Sequence, residues 1–412
     1  MKKLNSILTV HKASKFVFIL GLFIFGNGYI SYCQNYQPAK NPLIDSIIQF
    51  EKDRVISLAD SFLTMKPTTV TADYCPRSAG NIHDYYSEGT YWWPNPANPN
   101  GPYIQKDGQN NPENFDKHGK AIGLFSWIVG TETSAYLLTG NKKYAKAALI
   151  HLKAWFVDTT TRMNPNLLYA QAIKGVCTGR GIGIIDAAPL IDVAQSIKIL
   201  ENSKLIPKKE LAQIKEWFNQ YLTWLTTHKY GLDEMNWKNN HATWWHCQAA
   251  SYASLVGNEE VLQKCRKNYL DVLLTKQMAV NGSFPLELER TKPFGYSLFN
   301  MDGFAILAWI ITDKSFNGWN ASLPDGRGMR KGVEFMMPFI KEKNTWTYPK
   351  DVLHWEVQPS RQPFMLFAAI AQNQMEWIEL WKKQKTEFPN DEIRRNLPLK
   401  NPLLWIGLPD PK

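Results

Sequence analysis

The sequence has little cysteine and no closely spaced cysteine pair. Cys33 falls in a leader-like segment, and the remaining cysteines are scattered along the chain at Cys75, Cys177, Cys247 and Cys265. Disulfide frameworks are typical of small exported domains that lack a core. A chain of 412 residues can bury an ample core. We therefore expect these four cysteines to be free and mostly buried thiols.

The apolar run from Phe16 to Phe25 is too short to span a bilayer comfortably. It follows a basic stretch containing Lys2, Lys3, Lys12 and Lys15, and it precedes small and polar residues up to Cys33. This pattern predicts a signal peptide over residues 1–33 and a periplasmic or secreted protein. An uncleaved anchor and a lipoprotein at Cys33 are alternatives, although Tyr32 is a poor fit to a lipobox. All three imply export.

Acidic residues are fewer than basic ones, and the resulting positive charge limits which classes of binding partner are expected. The formal net charge is +10, and it falls to +6 without residues 1–33. A moderate positive charge suits an acidic polysaccharide. The sequence has no basic stripe with interleaved aromatic residues, so nucleic acid is not expected as a partner. We expect no stable membrane insertion once the signal peptide is removed.

Strand-like alternation is scarce, and apolar residues recur at helical spacing along the mature chain. We predict helices over 43–65, 121–138, 143–156, 187–200, 210–227, 241–255, 260–278, 299–311, 329–341 and 364–388. Short turns such as Thr139-Gly140-Asn141 and Gly257-Asn258 make antiparallel pairs. No repeat of fixed period supports a solenoid. The prediction is one all-α domain over 34–412, an (α/α) toroid or incomplete barrel of about five to seven helical hairpins.

Four side chains carry the chemistry that this sequence predicts: Asn240, His241, Arg290 and Tyr296. An amide and a guanidinium can neutralise a carboxylate, an imidazole can act as a base, and a phenol can protonate an oxygen. None needs a metal ion, and His246 is not at the i, i+4 spacing of a helical zinc pair. This set suits β-elimination on a uronic acid. The alternatives are a helix N-cap at Asn240, a structural ion pair of Arg290 with Glu287 or Glu289, and an ordinary buried tyrosine at Tyr296.

The substrate is expected to meet further residues on long loops. A stretch rich in Pro, Gly, Asn and aromatic residues runs from Lys66 to about His118, and loops of this length are usually functional. We predict substrate contacts at His83, Tyr85, Tyr91, Trp92, Arg180, Trp244 and Glu234. Glu234 can also orient His241. The glycine run around Arg180 follows no predicted strand, so it does not indicate a nucleotide site, and we expect no cofactor.

Several segments together resemble the alginate lyase family, nearest to polysaccharide lyase families 5 and 38. The resemblance rests on 81–87 with 91–94, on 163–171, and on 239–245, in that order, and it extends from Thr71 to Ile370. It implies an (α/α) barrel, about seven hairpins if family 38 is the model, and metal-independent cleavage of 4-linked uronates that leaves 4,5-unsaturated ends. In such lyases one tyrosine can serve as both base and acid in a syn elimination, whereas an anti elimination uses histidine as base.

Three other functions remain open at this point. A lyase for glucuronan or another uronan would share the same chemistry. A glycoside hydrolase would need two carboxylates about 5–10 Å apart, and no pair stands out among Asp84, Asp107, Glu234 and Asp302. A non-catalytic glycan-binding protein would need none of the four predicted catalytic residues.

Overall fold

A computed structural model of the chain describes residues 41–385 and 391–407. The predicted signal peptide and Cys33 lie outside the described residues. In the part of the chain that is described, no helix is long and apolar enough to cross a membrane. Cys75, Cys247 and Cys265 are buried free thiols and Cys177 is a partly buried one, as the sequence predicted.

The described residues form fifteen α-helices, and a π-helical turn at Tyr269–Leu274 joins α8 to α9. The helices are α1 (Pro42–Phe62), α2 (Lys117–Thr139), α3 (Lys142–Phe156), α4 (Leu190–Asn202), α5 (Lys208–Thr227), α6 (Lys229–Met235), α7 (Asn240–Val256), α8 (Glu259–Asn268), α9 (Thr275–Gln277), α10 (Pro285–Leu288), α11 (Pro293–Ile310), α12 (Met329–Lys341), α13 (Pro363–Gln372), α14 (Met375–Lys383) and α15 (Asp391–Arg395).

Five of the helices follow one another in an inner layer. Helix α2 packs on α4, α4 on α7, α7 on α11, and α11 on α13. Helices α3, α8, α12 and α14 each pack in an outer layer on the inner helix that precedes them, whereas α5, which follows α4 in sequence, packs mainly on α7 and also on α3. Helix α1 packs on α2 and also contacts α13 and α14. The architecture is the predicted all-α (α/α) toroid, with five helical hairpins and α1 among the described residues.

The turns between paired helices form where the sequence places its helix stops and caps. Gly140 ends α2 in the left-handed region at φ 68°, and the Asn141 side chain then accepts the Lys143 N–H in the first turn of α3. Gly257 ends α7 at φ 79°, and Asn258 caps α8. Glycine adopts this backbone without a Cβ clash, which explains why these helices stop where they do.

The prediction of one helix over 364–388 was wrong. Asn373 takes a left-handed conformation at φ 53° and ends α13, and a second helix, α14, begins two residues later. Asparagine tolerates this backbone better than most residues, so it serves as a helix stop without glycine. The short helices α6 and α10, which have only seven and four residues, were not predicted.

The segment after α15 lies against three inner helices. Asp192 on α4 accepts hydrogen bonds from the Lys400 and Asn401 N–H groups, from the Asn401 side chain and from the Trp405 indole. Thr131 on α2 donates to the Asn401 side chain. Trp309 on α11 donates to the Trp405 carbonyl. We call residues 396–406 the axial segment, because it lies among α2, α4 and α11.

The long loop before α2 contains short strands that fix its course. β1 (Tyr86–Glu88) pairs in parallel with β4 (Tyr169–Ala172), and β2 (Trp92–Trp93) pairs antiparallel with β3 (Ile104–Gln105). A 3-10 helix at Gly181–Ala187 follows β4. The loop brings its aromatic residues to the end of the toroid where α7 and α11 begin.

Candidate active site

His241 lies in the first turn of α7 and is held by a buried carboxylate. The helix cap is Asn239, whose side chain accepts the His241 N–H, so the alternative that Asn240 serves as the cap is off by one residue. The His241 Nδ1 lies 2.8 Å from Oε1 of Glu234, which is fully buried on α6. Burial raises the pKa of Glu234, and the charge and hydrogen bond of His241 oppose that shift. If Nδ1–H donates to the carboxylate, Nε2 keeps a lone pair and can accept a proton.

Asn240 is bound by a second buried carboxylate, Glu287 on α10. Glu287 Oε1 accepts the Asn240 backbone N–H at 2.8 Å, and the Asn240 Nδ2 lies 2.9 Å from each Glu287 oxygen. Two oxygens of one carboxylate lie in nearly the same direction from Nδ2, whereas the two N–H bonds of an amide diverge widely. One N–H therefore serves both oxygens, and the other remains able to bind a substrate carboxylate.

Arg290 is not paired with Glu287 or Glu289, the partners considered from sequence. Its Nε and Nη2 donate to Asp107 at 3.2 and 2.7 Å, and Thr291 also donates to Asp107. Burial alone would raise the pKa of Asp107, but the hydrogen bonds and charge of Arg290 hold it below its ordinary value. The loop before α2 thus fixes the orientation of the guanidinium.

Tyr296 lies beside this arginine in the first turn of α11. The Arg290 guanidinium carbon lies 4.0 Å from the centre of the Tyr296 ring, and the Tyr296 hydroxyl is 2.9 Å from the hydroxyl of Tyr91. Burial raises the pKa of Tyr296 well above its ordinary value, while the charge of Arg290 acts in the opposite direction. The two phenols form a pair in which one hydroxyl can donate to the other.

Arg180 and Trp92 line the same region from a different side. The Arg180 guanidinium carbon lies 5.7 Å from the centre of the Trp92 ring. Arg180 donates to the carbonyl and the side-chain oxygen of Gln171, and the Gln171 amide donates to Asp186 at 2.9 Å. Gln171 has a left-handed backbone at φ 50°, which is uncommon for a residue of this size. Such conformations are often found at functional sites.

Asp186 holds this region together and was not identified from the sequence. Besides Gln171, it accepts hydrogen bonds from Ser87 at 2.6 Å and from Tyr85 at 3.2 Å. Its charge raises the pKa of the Glu234 carboxyl, although burial is the larger cause of that shift. The Arg180 and Asp186 group is therefore close to the His241 and Glu234 pair. No local pattern marks Asp186, because its partners come from β1 and β4.

The structure brings together most of the predicted site, but three of the residues predicted to contact substrate are buried or lie apart from the others. Trp244 is fully buried and stacks on Phe299, so the prediction of a sugar contact at Trp244 was wrong. Tyr85 is also buried, and its ring supports the site through Asp186. His83 hydrogen-bonds to the carbonyl of Arg162 and has no described contact with the other site residues. The aromatic residues of a helix face pack inward here, and sequence alone does not distinguish them from a sugar platform.

The carboxylates considered for a hydrolase do not form a pair. Asp107 binds Arg290, Glu234 binds His241, Asp84 accepts from Asn81 and Asn164, and Asp302 accepts the Phe364 N–H. Within residues 41–385 and 391–407, no group of three or more His, Cys, Asp and Glu side chains is arranged to hold a metal ion.

Comparisons with known proteins point to one family. A family model described as alginate lyase matches residues 69–346. An alginate lyase from Bacteroides ovatus is 30% identical over 87% of this chain and 97% of that chain, with a TM-score of 0.75. A variant of alginate lyase A1-III complexed with a tetrasaccharide is 14% identical over 90% of this chain and 98% of that chain, with a TM-score of 0.56. The latter likeness shows the fold alone. No curated protein sequence matches the chain.

Proposed function

The chain belongs to the alginate lyase family, and from that premise we propose that the site around His241 and Tyr296 cleaves alginate by a β-elimination that requires no metal ion. As a member of this family it is a polysaccharide lyase. The observation that carries the mechanistic proposal is the Tyr91 and Tyr296 phenol pair, with a hydroxyl separation of 2.9 Å and Arg290 against the Tyr296 ring. Glucuronan lyase activity is the alternative within the same chemistry.

The reaction sets three requirements for the protein. In a 4-linked uronate, the hydrogen on C5 is next to the carboxylate, and O4 is the leaving group on the adjacent carbon. The charged carboxylate makes this hydrogen a very weak acid, so its charge must be neutralised as the enolate-like intermediate forms. A base must then remove the proton, and an acid must protonate O4.

The neutralising groups are Arg290 and Asn240. Asp107 binds two of the three nitrogens of Arg290, which leaves Nη1 to donate to the substrate. Glu287 binds one N–H of Asn240 and leaves the second. Each donor is thus oriented in advance by a carboxylate, which reduces the reorganisation needed when charge develops on the substrate.

The proton transfers are assigned to Tyr296 and His241. In a syn elimination the Tyr296 phenolate removes the C5 proton, and the resulting phenol donates the proton to O4 as the C4–O4 bond breaks. In an anti elimination the His241 Nε2 takes the C5 proton and Tyr296 donates its own proton to O4. Mannuronate and guluronate are C5 epimers, so one site with both groups can act on both.

The test is product formation from alginate, polymannuronate, polyguluronate and glucuronan. Each cleavage creates a conjugated 4,5-double bond that absorbs in the ultraviolet, whereas hydrolysis creates reducing ends without it. Tyr296→Phe should lower turnover by about 10²-fold or more, the scale expected for losing a general acid. Near wild-type turnover by this variant on every polymer would move the acid role to another group.

Metal independence has its own test. Excess EDTA should leave the rate of the purified chain unchanged, because the assigned groups neutralise charge with protein donors alone. Loss of activity that zinc or calcium restores would refute this part of the proposal.

We also propose that the protein is exported to the periplasm or secreted. The support is the basic and apolar pattern of residues 1–33, followed by the small and polar stretch that ends at Cys33. Mass spectrometry of the mature N-terminus would distinguish cleavage, retention as an anchor, and lipid attachment at Cys33.

A further inference from the structure

Helix α15 (Asp391–Arg395) contacts residues beside the candidate active site, although it lies about a hundred residues after Tyr296 in sequence. Its Glu392 is buried and forms an ion pair with Lys292, the residue that precedes α11. The same carboxylate accepts from Asn110 at 3.0 Å and lies 3.1 Å from the Nε2 of His354. Three segments therefore hold α15 beside the start of α11, the helix that carries Tyr296.

Lys292 links this cluster to the phenol pair. Its Nζ lies 5.2 Å from the centre of the Tyr91 ring and 5.9 Å from the centre of the Tyr296 ring. It also donates to the Gly108 carbonyl at 3.1 Å. The position of α15 is thus fixed relative to both phenols by one buried cation.

Arg395 extends from the end of α15 to the loop that carries Tyr91. Its Nη1 donates to the hydroxyl of Thr90 at 3.1 Å. The side chain is exposed to solvent. Protein atoms packed around the guanidinium displace some of its water and so lower the pKa of Arg395, but the nearby Tyr91, Glu392, Asp186 and Tyr296 together raise it above its ordinary value. The guanidinium is therefore a cation at the edge of the phenol pair.

Arg395 differs from its neighbours in having no carboxylate partner among the described residues. Arg394 pairs with Asp391 at 2.8 Å, and Arg290 pairs with Asp107 at 2.7 Å. Arg395 has only the neutral hydroxyl of Thr90 as a described hydrogen-bond partner. An arginine fork matches a carboxylate with two parallel hydrogen bonds. A 4-linked uronate polymer carries one carboxylate on every ring, so a ring next to the reacting one can supply that partner.

We propose that Arg395 is a further substrate-binding residue, which binds the carboxylate of a uronate ring adjacent to the ring that is cleaved. The Glu392 and Lys292 ion pair positions it. This inference rests on the proposed function, because it assumes that a polyuronate binds at this site.

The experiment measures binding separately from turnover. In the Tyr296→Phe background, the affinity for an alginate tetrasaccharide is determined by calorimetry, with and without Arg395→Met. We expect the dissociation constant to rise by about tenfold or more, the scale of a lost charge-assisted hydrogen bond. Arg395→Lys should recover part of the loss. Arg394→Met on the same helix is the matched control and should change the dissociation constant less than twofold.

Thr90→Val distinguishes binding from mere attachment of α15. It removes the hydroxyl that contacts Arg395 and keeps the guanidinium. If Thr90→Val weakens binding as much as Arg395→Met, Arg395 only tethers α15, and the inference is overturned. It is also overturned if Arg395→Met leaves the affinity unchanged while the wild-type chain still cleaves alginate. If the wild type forms no unsaturated product and the Tyr296→Phe chain binds no tetrasaccharide, the proposed function itself fails.

Discussion

Removing the Tyr91 hydroxyl should reveal whether the phenol pair works as a unit. Tyr91→Phe deletes one oxygen, 2.9 Å from the Tyr296 hydroxyl, and keeps the aromatic ring and its place beside Lys292. In the syn route Tyr296 must ionise before it can act as a base. A hydrogen bond from Tyr91 to that phenolate stabilises the charged form and so lowers the pKa of the first phenol to ionise.

The size of the effect follows from the kind of hydrogen bond that is lost. A hydrogen bond to a charged group is worth about 1.5–3 kcal/mol, which corresponds to roughly 10- to 150-fold in rate. The same energy equals about one to two pKa units. Tyr91→Phe should therefore lower kcat at neutral pH, and the deficit should shrink as the pH rises, because a larger fraction of Tyr296 then ionises.

The assay is the pH dependence of kcat on polymannuronate, followed by ultraviolet absorbance. Tyr86→Phe is the matched control, since Tyr86 also loses a hydroxyl with a hydrogen bond of 2.9 Å, but to Glu88 and away from Tyr296. The rising limb of the profile should move to higher pH in Tyr91→Phe alone. A wild-type profile with wild-type kcat in Tyr91→Phe would refute the idea that Tyr91 assists Tyr296.

Two further predictions concern His241 and a buried carboxylate outside the site. His241→Ala should lower polyguluronate cleavage more than polymannuronate cleavage, because only the anti route needs the imidazole as base; an equal loss on both polymers would make His241 a positioning group. Glu132 is fully buried with no described partner for either oxygen, and burial, aided by Asp60, raises its pKa to about 8. The pKa of this carboxyl is higher in the folded than in the unfolded state. The folded protein is therefore most stable below the unfolded-state pKa, and it loses at most about 5 kcal/mol in total as the pH rises towards 8. Glu132→Gln should thus match wild type at pH 5 and unfold at higher urea concentration at pH 9, whereas an equal difference at both pH values would contradict this.

The helices that the sequence predicted are those whose ends carry local signals. Gly140 and Gly257 need a left-handed backbone that suits glycine, and the predicted stops there were confirmed. Asn373 makes the same kind of stop without glycine, so the break between α13 and α14 was missed. Apolar spacing marks a buried face, but it does not tell whether a ring such as Trp244 faces the core or a sugar.

The site residues also fall into those that the sequence predicted and those that only the structure revealed. His241, Asn240, Arg290 and Tyr296 lie in or beside the first turns of α7 and α11, and the chemistry of the reaction identifies them. Glu287 orients Asn240, Asp107 orients Arg290, Asp186 holds the Gln171 side chain that binds Arg180, and the additional cation is Arg395. Each of these reaches the site through tertiary contacts with residues far away in sequence, so no spacing along the chain predicts them.

The axial segment has a consequence for biosynthesis. Asp192 is translated roughly midway along the chain, yet its hydrogen-bond partners, Lys400, Asn401 and Trp405, emerge from the ribosome some two hundred residues later. Contacts over such separations form late, because loop closure must come first. Helix α15 directly precedes the axial segment, so a nascent chain that stops short of α15 lacks Arg395 and also leaves Asp192 without these donors. Cleavage activity should therefore be absent from nascent chains in which the axial segment has not yet emerged from the ribosome.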